Sequence, residues 1–284
     1  MDNITQWVIG WWIMEKVVGE TPAEASWWQR NKALILGGLI SNIPDIDIFV
    51  SKLVPHKDYM SEFLFHRSGF HSVFFNIFVA LFVGWICGKT DRYKRPYWRW
   101  IVGSYLSILL GHLLIDAMTS YGGRYLLPFS SATYAFNNIF VVDLFYTIPL
   151  IILWFVYIFL KKKSTKKIWY IIGAAWIVIY PVFTLFAKHT ATQAFQASLD
   201  AQHIVHGTIL TSPEPLQTFL WRWVTVSEQG HYESYYSLFD SADRQINRRY
   251  IPNNKTMHDS LLDSPDVKKV EKWSQWWTSY SYGE

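Results

Sequence analysis

The chain has 284 residues, 51% of them hydrophobic and 17% charged, with 16 Trp. Apolar runs of the length found here exclude an ordinary soluble domain and make the bilayer the expected environment. A single cysteine, Cys87, excludes an internal disulfide and a four-cysteine zinc site, so any metal has to be held by His, Asp or Glu. The net charge of +4 is modest and its Lys and Arg do not follow an aromatic-studded groove, so no nucleic-acid partner is expected.

In chain order, 4–18 and 32–50 are apolar but short or interrupted, and Pro44 breaks the second. They fit a re-entrant hairpin, two short spans or interfacial helices equally well. Four later stretches, about 72–88, 100–118, 139–160 and 168–187, approach the roughly 20 apolar residues that a spanning helix needs. The connector after the first carries Lys89, Arg92, Lys94, Arg95 and Arg99 against Asp91, and the connector after the third carries Lys161, Lys162, Lys163, Lys166 and Lys167. In an alternating bundle these loops share a side, which the positive-inside rule makes cytoplasmic. The 119–138 loop and the tail then face outward. No cleavable signal peptide is expected from residues 1–31, which lack a basic start and a short apolar core.

Beyond Lys188 the character changes. Residues 218–226 and 231–239 are rich in aromatic and β-branched types, and the Ser-Glu-Gln-Gly connector at 227–230 suits a hairpin turn. Lys268 to Trp277 reads as a short closing helix. The expected fold is mainly α: a polytopic membrane bundle over 1–187, followed by an extracytoplasmic tail over 188–284 with a small β element.

That topology gathers scattered ionisable residues at one level. Asp45 and Asp47 lie in SNIPDID, and His66 and His71 in HRSGFHS, just before the first long stretch. His112 and Asp116 stand four apart near the outer end of the second, which puts both on one helix face. Asp143 opens the third. Acids near hydrocarbon are costly unless paired, hydrated or bound to a cation, so such a cluster is a functional candidate. Imidazole and carboxylate without sulfur suit zinc, manganese or iron, as one ion or two. Each motif has a plainer reading: HxxxD as a hydrogen-bonded pair between helices, Asp after Pro44 as a helix cap, and Asp143 as the partner of Arg124 or Arg67.

At these residues the sequence resembles the membrane-bound metal-dependent hydrolases, the YdjM-like group. The matching segments are Pro44 to Asp47, His66 to Ser72, Gly111 to Asp116 followed by Thr119, and Tyr121-Gly122 through Leu127 to Ser130. The resemblance implies a multi-span helical protein, hydrolase activity, and metal ligands at Asp45, Asp47, His66, His71, His112 and Asp116. That family is in turn distantly similar to the zinc phospholipase C and single-strand nuclease superfamily, which makes phosphoester cleavage the expected reaction. Two departures stand out. Gln6 occupies a position where many members carry His, and HRSGFHS replaces HRGxTHS, moving the glycine to Gly69.

The expected mechanism is metal-assisted hydrolysis of a phosphoester, lipid or lipid-linked, at the outer boundary of a bacterial cytoplasmic membrane. Asp47 or Asp143 acts as base, and Arg67 and Arg124 pair with phosphate. The competing expectation is a non-catalytic membrane module with a structural metal or ion-pair site, whose tail, through Trp221, Arg222, Tyr232 and Tyr235, binds a partner. A cation transporter is disfavoured, because the acids cluster at one end.

Overall fold

The computed structural model describes residues 1–19, 21–22, 24–53, 67–160, 162–204, 207–227, 230–240, 246 and 248–252. The expected helix at Lys268 to Trp277, and His66, lie outside these residues.

Helix α1 (Asn3–Val18) opens at Asp2, whose carboxylate accepts the N–H of Thr5 at 2.8 Å, and closes at Gly19 with φ 89°, a conformation that favours glycine. Helix α2 (Trp27–Ser41) starts from a capping box of Ser26 and Gln29. The chain then bends by 51° through the 3-10 turn Ile43–Ile46, which holds Pro44, into α3 (Asp47–Ser51). Helices α4 (Val73–Lys89), α5 (Tyr97–Ala117), α6 (Leu144–Phe159) and α7 (Lys163–Asp200) follow.

Helices thus form at all four places expected to span, but their lengths differ from expectation. Among the described residues α5, with 21 residues, and α7, with 38, are long and apolar enough to cross a membrane, and the bent α2–α3 pair makes a third if it is one span. Helices α4 and α6 are apolar but only 17 and 16 residues long. Helix α6 starts at Leu144 rather than near 139, because the carboxylate of Asp143 captures the N–H groups of Phe145 and Tyr146 and fixes the helix start there.

Helix α1 is central rather than interfacial. Trp11, Trp12 and Met14 are buried, and the indole of Trp12 donates to the carbonyl of Tyr170 at 2.9 Å. A Cβ on Gly10 would stand 2.5 Å from Cβ of Ser41, so only glycine lets α2 approach this closely. Apolar side chains of α4 and α7, Phe78, Phe82 and Phe186 among them, face outward as lipid-facing residues do.

The two ends of the bundle differ in chemistry. At the C-terminal end of α1, Arg95 donates to the carbonyl of Gly19 at 3.1 Å and forks onto Asp91 at 2.8 and 2.9 Å. The connector before α7 reaches the same end, where Lys163 and Lys16 line one cavity. The start of α1 lies at the opposite end, beside Asp45 and Asp116.

The tail forms a four-stranded antiparallel sheet in the order β1 (Ile209–Pro213), β2 (Leu220–Ser227), β3 (Gly230–Ser237), β4 (Arg248–Pro252). The expected hairpin is its centre, with Trp221 opposite Tyr236 and Trp223 opposite Ser234. Helix α7 runs unbroken past 187 and carries Ala187, Ala191, Phe195 and Leu199, a stripe of period four, against Trp221 and Trp223. Two-residue alternation puts both indoles on one face of β2, so a single helix stripe and a single strand face form this core.

Candidate metal centre

Three turns at the α1 start build the centre, each held by its own local bonds. Asp45 sits in the 3-10 turn after α2, where the amide of Asn3 donates to its Oδ2 at 2.7 Å and to Asn42 at 2.9 Å. His71 ends the short 3-10 turn Gly69–His71 directly before α4. Ser72 caps α4 through the N–H groups of Phe74 and Phe75, and the amide of Asn76 clasps the carbonyls of Phe70 and Ser72, which fixes the backbone on both sides of His71. His112 lies in a π-helical turn, Leu109–Leu113, inside α5, and Asp116 follows in the next turn. Single π turns widen a helix locally and recur at functional sites. Gly111 in this turn sits against the backbone of Gly10, with 3.0 Å between its Cβ position and that nitrogen.

Four side chains converge. One ligand atom from each of Asp45, His71, His112 and Asp116 lies within 4.8 Å of all the others. The two imidazole Nε2 atoms are 3.2 Å apart. Oδ1 of Asp45 lies 3.6 Å from His71 Nε2 and 3.4 Å from His112 Nε2. Oδ2 of Asp116 lies 3.5 and 3.6 Å from the same two nitrogens. Ligands about 2.0–2.1 Å from a tetrahedral ion stand about 3.3–3.4 Å from one another. The donor set and its spacing therefore fit a divalent cation. Oδ2 of Asp116 is buried with no hydrogen-bond partner among the described residues, as a ligand atom would be.

The other expected residues take different places. Asp47 is fully buried; its Oδ2 accepts the N–H of Arg67 at 3.0 Å and lies 3.3 Å from Nδ1 of His71, on the far side of that ring from the four-atom group. Arg67, with φ 63°, directs its guanidinium to the carbonyl of Gly122 at 3.1 Å and stands 3.6 Å from Oδ2 of Asp116. Arg124 joins through its backbone, its N–H donating to the carbonyl of Arg67 at 3.2 Å. Asp143 is not in the group. Its carboxylate receives Tyr180 OH at 2.8 Å and Thr218 Oγ1 at 2.6 Å besides capping α6, and so ties α6, α7 and the tail together.

Burial disfavours an imidazolium at His71, but the carboxylates of Asp116, Asp45 and Asp47 outweigh it and push the ring up to about 10. The carboxylates at this point favour positive charge, part of which the amino group of Met1 and the guanidinium of Arg67 supply at Asp116.

Three residues at the site were not singled out as site residues from the sequence. Asn3 holds Asp45. Gln6 donates to Oδ1 of Asp116 at 2.9 Å, which also accepts the amino group of Met1. Tyr125 has a buried phenol with no hydrogen-bond partner among the described residues, pushed well above its usual range by burial and by Asp116. The signals were present: Gln6 is one of the two departures noted with the resemblance, and Tyr125 lies inside its Tyr121 to Ser130 segment.

The fold and site define a helical membrane protein with a buried histidine–aspartate group of metal-ligating geometry at one end of its bundle. The chain belongs to the YdjM inner membrane protein family, whose model matches residues 1–191. That match covers the bundle and every member of the group, and ends before the sheet. No curated protein and no solved structure matches the chain.

Proposed function

We propose that the chain is a membrane-embedded metal-dependent hydrolase in which Asp45, His71, His112 and Asp116 hold one divalent cation, with zinc the best fit to the ligand spacing. The observation that carries this reading is the set of five contacts of 3.2 to 3.6 Å among four buried or nearly buried ligand atoms. A cation there would supply Lewis acidity toward a phosphoryl oxygen and render a water acidic. The chain's own residues supply the rest. Asp47, 3.3 Å from Nδ1 of His71, is placed to orient that ring from behind, as carboxylates do for ligating histidines, and acts as a positioning residue rather than a base. Arg67 offers a guanidinium to a phosphate, and the phenol of Tyr125, kept protonated, offers a hydrogen bond to a developing oxyanion. Asp45 is the one partly exposed member of the group and marks the side from which substrate and water enter. The expected distant similarity of the family to the zinc phospholipase C superfamily makes a phosphoester the first substrate class to test, lipid or lipid-linked. The two basic connectors, at the opposite end of the bundle, favour an extracytoplasmic site under the positive-inside rule.

One feature favours a second reading. Four protein ligands closing a tetrahedron is the arrangement of structural zinc, whereas catalytic sites keep a position open. In that reading the ion locks α2, α4 and α5 together and no substrate is turned over.

Elemental analysis of detergent-purified protein, with phosphorus NMR on short-chain phospholipids and simple phosphate mono- and diesters, separates these. About one metal per chain with chelator-sensitive hydrolysis is expected. Metal that raises thermal stability without any turnover assigns the structural role, and protein purified and refilled without metal uptake refutes both.

A further inference from the structure

Helices α4 and α6, with 17 and 16 residues, are about 24–26 Å long, which leaves them about 4–6 Å short of the hydrocarbon thickness of roughly 30 Å. Their C-terminal ends are closed by charge. Lys89 ends α4 and lies over the ring of Trp85 at 5.0 Å, and Lys162 and Lys163 follow α6 in sequence. An extension of the apolar exterior therefore has to come at their N-terminal ends, the end of the metal group.

Two separate segments supply it there. The 125–130 segment is stapled to the start of α4: the N–H of Val73 donates to the carbonyl of Tyr125 at 2.9 Å, and the hydroxyl of Ser72 donates to the carbonyl of Leu127. This sets the ring of Phe129, 78% exposed, edge-on to Phe74 in the first turn of α4, with centroids 4.8 Å apart. The tail does the same at α6. Phe145, in the first turn of α6, meets Phe219 edge-on at 4.9 Å, and Phe239, 80% exposed, stacks on Phe219 at 5.4 Å. Phe183, on the outward face of α7, approaches the same Phe219 ring at 6.5 Å. The turn that projects Phe239 is closed by its own bonds, with the carboxylate of Asp240 accepting the N–H of Ser237 at 3.0 Å and the N–H of Leu238 donating to the carbonyl of Phe219 at 2.9 Å. A single exposed phenylalanine on a loop means little. Here two such rings, from unrelated segments, each prolong the outward apolar face of a short helix, marked by Phe75 and Phe78 on α4 and by Ile148 and Ile152 on α6. The ring-to-ring steps are of the size of the shortfall, and aromatic side chains are favoured at the boundary between hydrocarbon and headgroups.

We infer that Phe129 and Phe239 insert into the bilayer leaflet at the metal-group end, where they complete the apolar belt that α4 and α6 leave short and seat the sheet on lipid. The occupant of this surface is lipid rather than a second copy of the chain, because both rings continue helix faces that are themselves apolar and outward. The inference does not depend on a bound metal or on hydrolysis.

The test uses the full chain in liposomes. Cys87, the single cysteine, is replaced by Ser, and one nitroxide label is placed through Phe129→Cys, Phe239→Cys, Phe82→Cys or Val226→Cys. Phe82 faces outward from the middle of α4, whereas Val226 is exposed six residues beyond Leu220 on β2, about 20 Å further along the strand. Power-saturation spectroscopy with oxygen and a water-soluble nickel chelate reads the depth of each label. Labels at 129 and 239 should favour oxygen over nickel and lie between the deep label at 82 and the aqueous one at 226. Nickel accessibility at 239 or 129 equal to that at 226 overturns the inference, and so does shielding from both reagents, which would place the ring in a protein contact such as a dimer. Photolabelling of the unsubstituted chain with a lipid-phase diazirine, read by peptide mass spectrometry, guards against a substitution that disturbs the fold. Carbene insertion is expected at Phe129 and Phe239 and not at Val226; its absence from both rings refutes lipid contact. His112→Ala should give the same labelling pattern, which separates this outcome from the fate of the metal centre.

Discussion

Removing His112 tests the centre most directly. Its Nε2 takes part in three of the five contacts that outline the group, at 3.2, 3.4 and 3.6 Å, and its ring is fully buried. In the wild type, free zinc at 100 times Kd should stabilise the folded chain by about 2.7 kcal/mol. A variant lacking one ligand of four should bind at least about 100-fold more weakly, because even outer partners of such ligands cost about 10- to 100-fold. At the same zinc concentration the gain then falls to about 0.4 kcal/mol, the value for ligand equal to Kd. Thermal unfolding in detergent, recorded with chelator and across a zinc series, measures the difference, and elemental analysis reads stoichiometry in parallel. The chelated variant will itself melt earlier, since a buried ring is lost; the zinc-dependent rise is the quantity of interest. A His112→Ala protein with an undiminished rise and undiminished metal content would refute the assignment.

Three further outcomes follow from the same contacts. Asp47→Asn should weaken zinc binding about 10- to 100-fold without abolishing it, measured by competition with a chromogenic chelator. Asp143→Ala removes a helix cap and two hydroxyl bonds to a carboxylate, so it should cost about 3 kcal/mol or more and speed proteolysis of the tail, with metal content unchanged. Burial alone would raise the carboxyl of Asp91, but Arg95 outweighs it and holds the group down at about 2, against 3.8 ordinarily. Its stabilising contribution is therefore complete above 3.8 and lost as pH falls toward 2. Asp91→Asn should cost about 1–3 kcal/mol near neutrality and flatten the acid limb of a pH–stability curve.

What the sequence disclosed, and what it hid, follows from the physics of each element. Long apolar runs and paired basic connectors announced the bundle, and HxxxD announced two ligands on one helix face. The roles of Asp45 and Asp47 were not separable in advance. Residues two apart on a helical turn point in different directions, so when Asp45 faces the group Asp47 must reach elsewhere, here to the back of His71. The place of α1 was hidden because Gln6, Glu15 and Lys16 lower its hydropathy. In the fold Gln6 is paired with Asp116 and Glu15 with Tyr157, so the helix tolerates them at the centre of the bundle. The length of α7 was hidden because its last four turns look polar. Their buried apolar content is Ala187, Ala191, Phe195 and Leu199, a stripe with meaning only once the sheet is present to cover it. The π turn at His112 has no signature in residue type.

The distances also bear on whether protons alone would explain the group. Charge-assisted hydrogen bonds between imidazolium and carboxylate contract to about 2.7–2.9 Å. The four His–Asp contacts here run from 3.4 to 3.6 Å, and they are nearly equal although the four residues come from three independently fixed turns. A hydrogen-bonded lock would be expected to pair each nitrogen with one close acceptor and leave the other distant. Instead each Nε2 is about equally far from both Asp45 and Asp116, as when ligand atoms are aimed at a shared centre rather than at one another. Asp143 in the same bundle holds its hydroxyl partners at the ordinary O–H···O distances of 2.6 and 2.8 Å. The expanded, symmetric spacing at the start of α1 is what a cation would require, and the local bonds at Asn3, Asn76 and Gln6 hold it open in advance.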